Sequence, residues 1–205
     1  MGGLKQCSLF NTSIALTHFI YTSWVKNNYT STLVFDIAQF FPSLNHCLLS
    51  LIFKKAEFDS KISSFFCNYL VVEKPNIFGT ISPPLFNVNI GISQGSALFP
   101  ILSALYLAPI LHILENWLKI LKVPISILLF VNNGLFVAQN KSLSILNSSL
   151  FCGYQITSSL LDRFGLTLEH RKMEVFHFSR SHEVFKPPPL NISSIGGPVI
   201  HLKNM

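Results

Sequence analysis

Between Lys74 and Glu115 the chain carries no charged side chain at all. Such a stretch has two destinations, the hydrocarbon of a bilayer or the interior of a protein. Its most apolar part, Leu98–Leu114, approaches the ~17–25 residues that a spanning helix needs. Pro100 and Pro109 interrupt it, and Ser103, Tyr106 and His112 recur along it. No basic flank precedes it, only Gln94-Gly95-Ser96, whereas spanning helices are commonly oriented by lysine and arginine. The stretch therefore reads as a buried core helix, with a membrane-embedded protein around Leu98–Leu114 as the lesser alternative.

A core helix of that size needs a core to enter. Of the 205 residues, 49% are hydrophobic, enough for one or two packed domains and too many for a disordered chain. Only 12% are charged, about half the usual ~25%. The aspartates are Asp36, Asp59 and Asp162, and the glutamates are scattered. Any metal or acid–base site must be assembled from very few carboxylates. The net charge of +6 favours polyanionic partners, but no run of like charges marks a basic patch. The four cysteines form no C-x-x-C pair and stand at no zinc-ligand spacing. The first residues read neither as a secretory signal nor, with Gln6 at the sixth position, as a myristoylation site. The expectation is a reduced, intracellular chain.

Apolar periodicity and turn residues divide the chain further. Ser13–Lys26 carries a helical stripe, with Asn11 or Thr12 as its cap. Thr32–Ile37 reads as a buried strand that contains Asp36. Helices are predicted over Leu44–Glu57 and Lys61–Leu70, the second capped by Asp59 or Ser60. Two short strands are predicted around Pro83-Pro84, then the apolar helix Ala97–Leu121. Ile125–Val131 and Leu135–Ala138 flank Asn132-Asn133-Gly134, residue types that favour a tight turn with positive φ. A long helix, Leu143–Phe164, a break at Gly165 and a strand at Val175–Phe178 follow, and Pro187-Pro188-Pro189 opens an extended tail. Helices gathered on one face of an antiparallel sheet make this an α+β fold.

Four strings carry a more specific likeness: Leu33–His46 (LVFDIAQFFPSLNH), Gly91–Leu107 (GISQGSALFPILSALYL), Ile127–Gln139 (ILLFVNNGLFVAQ) and Phe164–Arg180 (FGLTLEHRKMEVFHFSR). In that order and spacing the chain resembles the palm of reverse transcriptases, and most of all those of fungal non-LTR (LINE-like) retrotransposons. The resemblance implies a polymerase palm-like antiparallel sheet over residues 31–185. Residues 1–30 would then be a helical lead-in left from the fingers, and 186–205 a Pro-rich tail ending before the thumb. It also implies an RNA-directed DNA polymerase that uses Mg2+, an RNA template, a DNA primer and deoxynucleoside triphosphates, with no membrane partner.

Position by position, the resemblance makes Asp36 the aspartate that binds both metals and the Ile37 carbonyl a further ligand. Phe41 matches the aromatic that excludes a ribose 2′-hydroxyl, Gln94 and Gly95 the pair contacting template and nucleotide, and Lys172 a general acid toward pyrophosphate. The family's hairpin tip reads F-V-D-D-G, but here it is Phe130-Val131-Asn132-Asn133-Gly134. Two neutral amides replace two carboxylates in a site meant for two dications, and the expectation is a catalytically dead copy, a non-catalytic nucleic-acid-binding remnant being the alternative. Phe99 stands where the family usually has Ser. Without the family pattern plainer readings hold: Asp36 caps a turn, Phe41 packs, Asn132-Asn133-Gly134 only turns the chain, Gln94-Gly95-Ser96 starts a helix, and Lys172 is a solvated charge.

Overall fold

β-branched and aromatic residues in Tyr29–Ala38 suit a pleated surface, and they form β1, the strand on which the others assemble. The computed structural model describes residues 9–70, 90–91, 98–180, 190–191 and 199–200. Helix α1 (Leu9–Val25) precedes β1; α2 (His46–Lys55) and α3 (Ser60–Leu70) follow it. Then come α4 (Phe99–Ile120), the hairpin β2 (Ile125–Phe130) and β3 (Asn133–Asn140), and α5 (Leu143–Arg163). Two further strands, β4 (Thr167–Leu168) and β5 (Glu174–Phe178), complete the main sheet. Within the expected tail, β6 (Leu190–Asn191) and β7 (Val199–Ile200) pair antiparallel as a separate two-stranded sheet.

The main sheet runs β2-β3-β1, and β4 and β5 share the other flank of β1, every pairing being antiparallel. Period-two alternation sends Leu33 and Phe35, with Phe136 and Ala138 opposite, to one face. There they join Leu102, Tyr106 and Ile110 of α4 and Leu146, Leu150 and Tyr154 of α5 in one core. Each of the buried Leu, Ile and Phe side chains stabilises the fold by roughly 1.5–3 kcal/mol relative to exposure. Thr30, Thr32, Val137 and Gln139 alternate to the opposite face, where α1 lies across the end of the sheet. Gln139 Nε2 donates to the Phe19 carbonyl at 2.5 Å and ties α1 down.

Most helix limits lie near their expected places, for local reasons. The Asn45 side chain accepts from Leu48 N–H at 3.0 Å and starts α2 slightly later than expected. Asp59 Oδ1 accepts from Lys61 N–H at 2.8 Å, and Gly165, at φ +69°, ends the turn after α5. Helix α1 starts at Leu9, ahead of its expected caps Asn11 and Thr12. The uncharged stretch does supply a core helix: Leu102, Tyr106, Leu107, Ile110, Leu114 and Leu118 of α4 are buried in protein. By length and composition alone α4 also meets the requirement for crossing a membrane. The strands expected around Pro83-Pro84 lie outside the described residues, apart from Ile90, which bridges to Asn45.

β1 also carries polar residues inward. Ser31 is fully buried and its hydroxyl meets His177 Nδ1 at 2.5 Å across the β1–β5 pairing. Burial lowers the His177 pKa to about 4. The fold holds the neutral ring, whereas the unfolded chain takes up its proton near 6.5. Stability is therefore fully present above pH 6.5, falls as pH drops toward 4, and stops falling on this account below that. With the ring only partly buried, the loss expected is on the order of 2 kcal/mol. Urea midpoints at pH 7 and pH 4.5 should diverge less in His177→Gln than in the parent chain; equal divergence in the two would remove His177 as the cause.

Candidate functional site

The β1–β3 register places Asp36 opposite Asn133 and Phe35 opposite Gly134, so the tip of the β2–β3 hairpin meets the C-terminal part of β1. Phe130 pairs with Asn133, which leaves Val131-Asn132 as a two-residue loop with positive φ, +56°, at Val131. Asn132-Asn133-Gly134 is thus not the turn: Asn133 and Gly134 belong to β3, and neither has a positive φ. Glycine serves here for closeness. A Cβ on Gly134 would come within 2.0 Å of Phe35 Cζ, so the Phe35 ring lies directly on the glycine backbone. That ring also packs on Phe136, with centroids 4.7 Å apart.

Asp36 is 7% exposed, and both its carboxylate oxygens are engaged. Asn132 Nδ2 donates to Oδ1 at 2.5 Å, and Lys172 Nζ donates to Oδ2 at 2.6 Å. Asn133 Nδ2 reaches Asn132 Oδ1 at 3.4 Å, extending the chain of amides outward. The hydrogen bond to the Asp36 carboxylate, and then its charge, raise the Lys172 pKa, with Glu169 adding a smaller pull. Lys172 is therefore an ion-pair partner, and not the free solvated charge that its sequence context also allows.

Backbone geometry delivers that lysine. β4 pairs with β1 through Ile37 and Ala38, and β5 pairs from Val34 backward. Between them, opposite Phe35 and Asp36, the chain leaves the ladder in a 3-10 turn at His170–Lys172. Glu169 N–H donates to the Asp36 carbonyl at 2.8 Å, and the Glu169 side chain accepts from Arg171 N–H. Neither Glu169 nor Val131 carried a sequence signal, because Glu169 meets Asp36 through its backbone N–H and Val131 contributes a backbone angle.

Ile37 N–H donates to the Asn132 carbonyl at 3.1 Å, closing the tip against β1. Phe41 is half-buried in the turn after β1, its ring edge-on to buried Phe40 at 5.0 Å. Gln94 and Gly95 lie outside the described residues, as does the side chain of Phe99. Gly91 itself is tied to the turn after β1: His46 Nε2 meets the Gly91 carbonyl at 2.6 Å, and Gly91 N–H donates to the Leu44 carbonyl.

A pair of magnesium ions does not fit this donor set. Magnesium takes hard oxygen ligands and needs their negative charge. Here a single carboxylate is neutralised by an ammonium, and the amide beside it presents N–H to Asp36. Among the described residues no group of three or more His, Cys, Asp or Glu side chains converges to hold a metal.

No protein-family model matches the chain, and no curated protein sequence does. Solved structures do. An apo telomerase from Candida tropicalis, truncated from its C-terminal domain, superposes with a TM-score of 0.58 at 15% identity, over 86% of this chain and 36% of that one. Apo telomerase from the same organism gives 0.57 at 13% identity, over 86% of this chain and 33% of the other. The present chain thus spans about a third of their length. At such identity the likeness is one of fold, a polymerase palm-like α+β fold related to that of reverse transcriptases.

The contact at Gly134 is a sensitive point of this edge. Gly134→Ala should destabilise the protein by ~2 kcal/mol or more, because the Phe35 ring must leave a packed position. A thermal melt within a degree of the parent would show that the ring is not constrained there.

Proposed function

We propose that this chain is a reverse-transcriptase-like palm without nucleotidyl transfer, derived from the RNA-directed DNA polymerase of a LINE-like retrotransposon. One observation carries the reading: the Asp36 carboxylate is already satisfied by Lys172 and Asn132. Two-metal catalysis stabilises both the attacking and the leaving oxygen through ions held by carboxylates. With amides at 132 and 133, that arrangement lacks its ligands. What this chain's own residues do is hold Asp36 in a closed, charge-balanced tip.

The four motif strings in palm order support the family reading, and the palm-like fold is consistent with it. Kinship with retrotransposons in particular rests on the strings. A role in nucleic-acid contact is the second reading, favoured by the net charge of +6 and by the half-buried strip Val34, Leu128 and Leu135, on the same sheet face as Asp36. Such contact would be mainly electrostatic, with log affinity falling as log salt rises.

Primer extension on an RNA template, with magnesium or manganese and deoxynucleoside triphosphates, tests the first reading. The chain should fall roughly three or more powers of ten below an active reverse transcriptase, since each 1.36 kcal/mol of lost stabilisation is tenfold in rate. Extension above background by the unmodified chain would overturn the proposal. Recovery in the Asn132→Asp, Asn133→Asp double variant would identify the amides as the sufficient defect. For the second reading, binding of an RNA–DNA hybrid should weaken markedly between 50 and 200 mM salt, as estimated for multiple phosphate contacts; salt-independent binding or none would exclude it.

A further inference from the structure

We infer that Lys172 is the standing cation of this site, its ammonium supplying the positive charge that balances Asp36 where the family would use metal ions. The inference rests on the palm reading proposed above and assigns Lys172 a structural role, distinct from proton transfer to a leaving group. The Asp36 side chain is 10% exposed and that of Lys172 66%, so the carboxylate is withdrawn from water while its partner reaches in from outside. A carboxylate so withdrawn is costly unless it is paired and hydrogen-bonded. Both conditions are met, Lys172 Nζ standing 2.6 Å from Oδ2 and Asn132 Nδ2 2.5 Å from Oδ1.

The placement is built into the backbone. The 3-10 turn at His170–Lys172 interrupts the strand ladder opposite Phe35 and Asp36, between the pairings Ile37–Leu168 and Val34–Glu174. It is anchored to the residue it serves, since Glu169 N–H bonds the Asp36 carbonyl at 2.8 Å. Such an interruption re-aims a side chain out of the regular alternation. A dication would have to displace an ammonium and an amide in order to share one carboxylate. The tip is therefore complete without a metal, and removal of Lys172 strands the charge on Asp36.

A double-mutant cycle on the full chain, with urea unfolding in EDTA, tests this. Lys172→Met should lower the urea midpoint, and Asp36→Asn, Lys172→Met should recover most of the loss, because the amide needs no counter-charge. Manganese at millimolar concentration should leave the melting temperature of the parent chain unchanged. If Lys172→Met does not fold, the double variant decides: a cooperative transition near that of the parent supports the inference, and failure to fold overturns it. A Lys172→Met midpoint equal to the parent's, or a rise in the parent's melting temperature with manganese, also overturns it. Primer extension by the parent would sink the palm-without-catalysis reading and leave this cycle intact. A flat cycle without extension would sink the inference alone.

Discussion

The antiparallel pairing of β1 with β3 is the constraint on which the rest depends. Because side chains alternate with a period of two, one register decides everything along both strands. It sends Leu33, Phe35, Phe136 and Ala138 into the core with α4 and α5, and it sets Asp36 against Asn133 at the tip. A slip by one residue would put Asp36 in the core and Phe35 at the exposed edge. Gly134 helps exclude that slip, since it alone leaves space for the Phe35 ring directly on the strand. Core packing and site geometry are two consequences of a single alignment.

That alignment brings three polar side chains together but leaves their chemistry to residue identity. Carboxylates at 132 and 133 would crowd negative charge around Asp36 and call for divalent cations. Amides reverse the demand: one buried charge remains, and one ammonium is sufficient. Asn132 can do what an aspartate there cannot, which is to donate N–H to Asp36 Oδ1. The amide, which brings no ligand charge, therefore supplies a hydrogen bond. Ile37 N–H bonds the Asn132 carbonyl, and the tip is electrostatically a closed ion pair.

Much of this was legible in the sequence wherever local chemistry decides structure. The apolar stretch became α4 because its buried positions, Leu102, Tyr106, Ile110, Leu114 and Leu118, recur at helical spacing. The β-branched run became β1, and the resemblance of the motif strings to a palm implied that Asp36 and the Asn pair would meet. Three features were not legible. The turn fell on Val131-Asn132 because the long-range β1–β3 pairing takes Asn133 and Gly134 into the ladder, against the turn preference of Asn-Gly. The 3-10 turn that carries Lys172 exists because β4 and β5 share one flank of β1, which no local pattern encodes. And α1 lies on the face opposite α5, a choice made by the buried Thr30, Thr32 and Val137, whose outward alternation can be assigned only once the register is known.

The fold and the chemistry of this palm-like chain are thus separable in energy. Its core is aliphatic and aromatic, spread over α2, α4, α5 and the sheet, and none of it depends on the identity of residues 132 and 133. A protein with few charged residues has few desolvated charges to satisfy, and the one at the sheet edge is satisfied locally. Here the loop is two residues long, braced by strand pairing on either side and by the Ile37–Asn132 backbone bond. The bracing comes from the backbone, so the geometry of the tip is retained by hydrogen bonds that any residue except proline at 37 could make.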